Sequence, residues 1–256
     1  MRSLLFEIAD AAQEAVRSTE GAFENVEVGM GADGTPTSRI DKIAEDAIFK
    51  VLDAKGNPLN VLSEEHAFKD FGKPDTLVVD PIDGTANAMS GIPFYSVSLA
   101  VGQRDLDGVR YALVRNLATG DTYYAAKGKG AFRNGEAIKV RRFRLESAQF
   151  LVYLGNRAAR HAHGMAAMPR RTRSLGSTAL ETCIVAAGGA DLHAVLMNHA
   201  IGGLRVMDIA AAALILREAG GELYDERGQR FNMAFDIKER RNVLAVGDPR
   251  VLEAFK

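Results

Sequence analysis

From Ile209 to Leu216 the chain carries no polar side chain (Ile-Ala-Ala-Ala-Ala-Leu-Ile-Leu). The stretch from Val206 to Ala219 reads as a helix, and a helix that is apolar around its whole circumference has no face to offer water. It has to be buried, so the rest of the chain must surround it. With 256 residues the chain can do this as one large domain or as two intimately packed halves. Gly220-Gly221 ends the helix. Asp208 stands at its start, where an aspartate is by default an N-cap. A carboxylate entering a fully buried helix is costly, however, unless it is paired or binds a metal.

Patterning elsewhere supplies the surrounding elements. Leu4, Leu5, Ile8, Ala11, Ala12, Ala15 and Val16 recur at helical spacing and predict an amphipathic first helix. Gly29 to Pro36 is glycine-rich and reads as a mobile loop that closes over a site. Thr37 or Ser38 caps a second helix with Ile40, Ile43, Ala44, Ala47, Ile48, Val51 and Leu52 as its buried stripe. Strands are expected at 59–62, 76–79, 95–101, 109–114 and 121–126, and Asn134-Gly135 marks a hairpin. The remainder alternates: strand 150–154, helices 157–168 and 177–187, strand 192–196, the apolar helix, then strands 222–224 and 243–246. Two α/β halves, 1–144 and 145–256, are expected to pack as one compact unit.

Leu77-Val78-Val79-Asp80-Pro81-Ile82-Asp83-Gly84-Thr85 carries most of the chemical information. An apolar strand delivers Asp80 at its end. Pro81 cannot extend a sheet ladder, so a turn is expected there. Asp83 returns on the same side. Gly84 permits close backbone approach, and a short helix starting near Thr85 would aim its first N–H groups at an anion. Carboxylates beside an anion site make sense if cations lie between them. A second apolar strand ends in Glu64-Glu65, and Asp41 sits in the first turn of the second helix, where a capping-box role is the plain reading. Oxygen ligands of this kind suit Mg²⁺ or Mn²⁺ rather than zinc.

Composition excludes several other classes. Lys plus Arg is 32 and Asp plus Glu 33, so nothing in the overall charge attracts nucleic acid or an anionic membrane. The single cysteine, Cys183, rules out an intrachain disulfide and suits a reducing cytoplasm; its apolar neighbours make it a buried, inert thiol. His161, His163, His193 and His199 lack zinc spacing and read as surface or capping residues. Lys139 to Arg144 and Arg170-Arg171 read as solvated basic faces, with one sharper reading, that an arginine there meets the second phosphate of a bisphosphate.

Taken together, Asp80-Pro-Ile-Asp-Gly-Thr85, Glu64-Glu65 ahead of it, Asp208-Ile-Ala-Ala and Glu218-Ala-Gly-Gly221 resemble the inositol monophosphatase family of magnesium phosphatases. Arg173-Ser-Leu-Gly-Ser177 looks like the family's substrate-side loop. The length and the Gly31 to Thr37 stretch look most like archaeal-type members, which act on fructose 1,6-bisphosphate and inositol 1-phosphate. The resemblance implies an α/β fold, a five-layered α-β-α-β-α sandwich, working as a homodimer or a dimer of dimers. It implies two to three Mg²⁺ ions, the first held by Glu64, Asp80 and the Ile82 carbonyl, the second by Asp80, Asp83 and Asp208. Asp41 and Thr85 would orient the attacking water. Gly84 and Thr85 would bind the phosphate alongside Asp83, and Arg173, Ser177 and Thr178 would touch the sugar or polyol.

Two departures bear on specificity. Met207 stands where many members have tryptophan, and Ile201 where inositol-specific members have a carboxylate, which favours a broader sugar-phosphate pocket. The competing functions are a phosphatase for 3′-phosphoadenosine 5′-phosphate and a non-catalytic metal-dependent binding protein on the same fold.

Overall fold

The computed structural model describes residues 1–19, 27–30, 36–64, 66–198 and 202–255. Helix α1 (Arg2–Arg17) precedes a two-stranded hairpin, β1 (Glu27–Met30) and β2 (Pro36–Ser38), and then α2 (Arg39–Ala54). Next come β3 (Asn60–Ser63), β4 (Ala67–Lys69), β5 (Thr76–Asp83), α3 (Thr85–Met89), β6 (Ser96–Gly102), β7 (Val109–Asn116), β8 (Thr122–Ala126), β9 (Ala131–Arg133) and β10 (Glu136–Ile138). The remainder holds β11 (Gln149–Val152), α4 (Arg160–Ala166), β12 (Arg171–Arg173), α5 (Thr178–Ala186), β13 (Leu192–Val195), α6 (Val206–Glu218), β14 (Glu222–Tyr224) and β15 (Val243–Val246).

An eight-stranded sheet has the order β10-β9-β8-β7-β6-β5-β3-β4, and a five-stranded sheet the order β12-β11-β13-β15-β14. Helices α1 and α2 pack together on one face of the large sheet. Helices α5 and α6 fill the space between the sheets, and α4 covers the far face of the small one. This is the expected α-β-α-β-α order. The strand alternation enforces it: Phe150 and Val152 face α4 while Leu151 faces inward. Helix α6 is enclosed from Ile209 to Leu216, as its uninterrupted apolar surface demands. No described helix is long and apolar enough to cross a membrane.

Three local expectations need correction. The chain does not turn at Pro81: β5 continues to Asp83, and its pairing with β6 shifts between Asp80 and Asp83. A bulge frees proline from the ladder while the strand runs on. The stretch read as a loop from Gly29 to Pro36 begins and ends in paired strands, with Gly29 opposite Thr37 and Met30 opposite Pro36; residues 31–35 lie outside the described residues. His193 is buried in β13 rather than on the surface, because its position in the strand points it inward, where the Thr182 hydroxyl lies 3.0 Å from Nδ1. His199, Ile201 and Glu65 lie outside the described residues.

Candidate functional site

Strand parity places the first carboxylate. Val78 faces α6, so Asp80, two residues on, faces the same way, toward the start of the helix that carries Asp208. Asp80 is buried, and the Ile82 N–H donates to its Oδ1 at 3.1 Å across the bulge. Burial first, then the charges of Glu64, Asp83 and Asp208, push its carboxyl well above the usual carboxylate range, while Arg205 pulls it down. Four acidic groups from three stretches of chain therefore sit within electrostatic reach of one another.

Asp83 is wired across the molecule. It accepts the Ser177 hydroxyl, the Thr178 N–H at 3.0 Å and the Ala179 N–H at 2.8 Å, so it caps the start of α5 from a different sheet. The Ser96 hydroxyl adds a longer contact at 3.4 Å. Burial raises its pKa to about 6 against these hydrogen bonds, with Asp208 adding to the rise. Gly84 makes the approach sterically feasible. Its φ is 95°, and a Cβ there would stand 3.0 Å from the Gly176 carbonyl oxygen and 3.2 Å from that of Phe94. Asn87 reinforces the junction by donating to both the Phe94 and Leu175 carbonyls at 2.7 Å.

Asp41 has two tasks. With Ser38 it forms the capping box of α2. Its Oδ2 accepts the Ser38 hydroxyl at 2.6 Å, and its Oδ1 accepts the Thr85 hydroxyl at 3.0 Å. The Thr85 hydroxyl also lies 3.0 Å from the Ile82 carbonyl oxygen. Burial raises the Asp41 pKa, opposed by the bonds from Ser38 and Thr85. Asp41, Thr85 and Ile82 thus meet at the end of β5.

The fourth side holds a residue to which the sequence reading gave no role. Arg205 donates to Glu64 Oε1 through Nη1 and to Asp208 Oδ1 through Nη2 at 3.0 Å. Its own N–H donates to Asp208 Oδ2 at 2.6 Å, so Asp208 caps its helix as well as joining the acidic group. Both side chains of the Glu64–Arg205 pair are 17% exposed. Among the described residues no three acidic, histidine or cysteine side chains meet as a ready-made ligand cage. The donor set nonetheless suits a hard divalent ion: all-oxygen, convergent, and carrying four carboxylates against one guanidinium. Glu64, Asp80, Asp83, Asp208 and the Ile82 carbonyl could hold such ions once Arg205 moved aside.

A cavity of about 390 Å³ opens beside this group, lined in part by Glu64, Thr178, Arg205 and Asp208. Ser177 is wholly buried with its hydroxyl donated to Asp83, which leaves it facing the carboxylate and not the cavity. Arg173 is exposed on β12, bonds the Thr172 carbonyl at 2.7 Å and is not among the cavity's lining residues. Of the basic runs, Arg141 is paired with Asp191 away from the cavity. Cys183 is buried, and burial pushes its thiol up. Glu181 also escaped the sequence reading. It is buried behind the Ser177 loop, accepts the Leu175 and Gly176 N–H groups at 3.1 and 3.2 Å, and burial raises its pKa to about 7.

The family model described as the inositol monophosphatase family matches residues 1–255. A relative from Methanothermobacter thermautotrophicus, named fructose-1,6-bisphosphatase/inositol-1-monophosphatase, is 38% identical over 94% of this chain and 90% of its own length. Another, from Methanococcus maripaludis and named bifunctional NADP phosphatase/NAD kinase, is 35% identical over 95% of this chain but only 46% of its own length. A solved structure described as an inositol monophosphatase–fructose 1,6-bisphosphatase superposes with a TM-score of 0.87 at 29% identity, covering 99% of this chain and 97% of the other. The end-to-end family match and the extent of these similarities lead to one conclusion: the chain belongs to the inositol monophosphatase family.

Proposed function

We propose that the chain is a divalent-metal-dependent phosphatase that hydrolyses small sugar or polyol phosphate esters, with fructose 1,6-bisphosphate and inositol 1-phosphate as its substrates. The convergence of Glu64, Asp83 and Asp208 on the buried Asp80 carries this reading. Such a group is unstable without cations, and a phosphate ester would be repelled by it. The ions would be Mg²⁺, two or three in number, held by Glu64, Asp80, the Ile82 carbonyl, Asp83 and Asp208. When bound they would supply Lewis acidity and ease deprotonation of water.

The chain's own groups supply the rest. Asp41 and the Thr85 hydroxyl, already bonded to each other, orient the attacking water. The backbone N–H groups of Gly84 and Thr85, at the start of α3, bind the phosphate oxygens. Asp83, fixed by four donors, keeps its orientation through the reaction. Thr178 lines the substrate cavity.

A phosphate-release panel tests the proposal: fructose 1,6-bisphosphate, inositol 1-phosphate, glycerol phosphate, 3′-phosphoadenosine 5′-phosphate and NADP, each with Mg²⁺ and with chelator. Turnover of the sugar and polyol esters only with Mg²⁺ is expected. Release from the nucleotides alone would move the chain to the nucleotide phosphatase reading, and no release from any ester would leave a metal-dependent binding protein.

A further inference from the structure

The hairpin that carries Glu64 sits at the rim of the large sheet. Strand β4 is its end strand, three residues long, and pairs with β3 so that Ser63 stands opposite Ala67. Ala67 has a φ of 57°, a conformation that residues with a Cβ rarely adopt and that persists where neighbouring contacts enforce it. Helix α2 supplies such contacts. Asp41, Glu45 and Phe49 follow one another at intervals of four residues and so share one face of α2. Asp41 meets Thr85 at the end of β5. One turn on, Glu45 meets the hairpin: the His66 Nδ1 lies 2.7 Å from its Oε2, and since an ionised carboxylate only accepts, the imidazole donates. The next turn brings Phe49 edge-on to the His66 ring, with centroids 5.0 Å apart, and the Lys69 ammonium lies 3.9 Å from the Phe49 centroid. Within the hairpin the His66 N–H donates to the Ser63 hydroxyl at 3.3 Å.

We propose that Glu45 and His66 are positioning residues: their hydrogen bond docks the β3–β4 hairpin on α2 and so keeps the Glu64 carboxylate turned toward Asp80 and Asp208, ready for a divalent ion. The proposal rests on the metal-dependent phosphatase reading above. Burial singles the pair out. The Glu45 side chain is 1% exposed and that of His66 36%, so the carboxylate lies beneath the surface with the imidazole as its cover. Glu45 Oε1 has no hydrogen-bond partner among the described residues, which makes the His66 contact the more important to the carboxylate. A carboxylate so deeply buried is costly, and an apolar side chain would pack a helix against a sheet at least as well. A purely structural contact therefore does not call for Glu45. What the pair adds is direction: a charge-assisted hydrogen bond fixes the ring in angle and distance, two residues from Glu64. Hydrogen bonds placed behind a ligand in this way orient it and strengthen its hold on the ion. One face of α2 then sets both strand ends that carry carboxylates, β5 through Asp41 and β3 through Glu45.

The test measures Mg²⁺ affinity by calorimetry in Glu45→Gln, His66→Ala, His66→Asn and the Glu45→Gln/His66→Ala double variant, beside kcat for phosphate release from inositol 1-phosphate. Lys42→Ala, which removes an exposed ion pair with Asp46 on the same helix, serves as control. His66→Ala should weaken Mg²⁺ binding at least about tenfold, the usual cost of losing a hydrogen bond behind a ligand. At saturating Mg²⁺ its kcat should stay within about twofold of wild type, because every ligand is still present. His66→Asn puts an amide N–H near the place of Nδ1 and should recover most of the affinity. The double variant should bind no more weakly than His66→Ala, since the two residues act as one unit; additive losses would overturn the pairing. If Glu45→Gln fails to fold, the His66 variants decide the matter. Unchanged Mg²⁺ affinity in His66→Ala, even with a lower melting temperature, would overturn the positioning role alone, as would a loss that His66→Asn does not recover. Neither Mg²⁺ uptake nor phosphate release by the unaltered protein would overturn the phosphatase reading and the positioning role with it.

Discussion

The two walls of the acidic group are built differently. On one, Asp80 and Asp83 are buried on a central strand, and Asp83 is held by donors from β6 and α5. On the other, Glu64 and Asp208 are partly exposed and held together by a single guanidinium. The first wall is complete before any ligand arrives. The second is provisional, because a cation can be exchanged for another cation and a folded backbone cannot. Preorganisation and adaptability are thus divided between two sides of one site.

Breaking the rigid wall should give the largest effects. Asp83→Asn should lower turnover at least about 1,000-fold, as expected where a charge-stabilising group is lost, while circular dichroism shows the fold retained. Near-normal turnover in that variant would refute the assigned role. Gly84→Ala should come next. The added methyl meets two carbonyl oxygens at a positive φ, and a loss of about 2–4 kcal/mol in urea unfolding is expected. A loss under about 0.5 kcal/mol would mean that the junction between the sheets yields easily.

The provisional wall should respond in the opposite sense to metal. Arg205→Gln leaves Glu64, Asp80 and Asp208 without their counter-charge, so the chelator-treated protein should melt lower. Mg²⁺ should then bind several-fold more tightly by calorimetry, because no guanidinium has to be displaced. Equal Mg²⁺ affinity in variant and wild type would show that Arg205 does not compete with the ion.

The smallest effect lies behind the rigid wall. Glu181 has its pKa raised to about 7 by burial, above its ordinary value of 4.5. A raised folded pKa means that its contribution to stability is full below pH 4.5 and is lost as pH rises through 7. Glu181→Gln should therefore flatten that part of the melting profile, by a few degrees at most. His193 runs the other way: burial lowers its pKa to about 3, so its contribution is lost as pH falls from 6.5 toward 3. An unchanged profile between pH 4.5 and 7 in Glu181→Gln would show that this carboxyl does not titrate in the range.

Legibility in the sequence followed chain distance. Asp80, Asp83, Gly84 and Thr85 are neighbours on one strand and its exit, so their convergence could be read from spacing. Arg205 lies three residues before Asp208, but its other partner, Glu64, is 141 residues away, beyond the reach of any spacing argument. The i, i+3 spacing of Arg205 and Asp208 was the one available signal. The larger helices and central strands followed hydrophobic period, whereas β4 and β12 were missed: each has three residues at a sheet edge, too short to show alternation. Pro81 misled because a proline that ends a regular ladder is compatible with a bulged one. His193 misled because polarity was taken for exposure, although Thr182 satisfies it inside.

The capping of α5 by Asp83 has a consequence for synthesis. A nascent chain that has emerged only as far as β10 already holds Asp80 and Asp83, but neither the helix that steadies one nor the Asp208 that completes the group. Until the last third of the polypeptide leaves the ribosome and docks, the acidic group stays unfinished and Asp83 unsteadied.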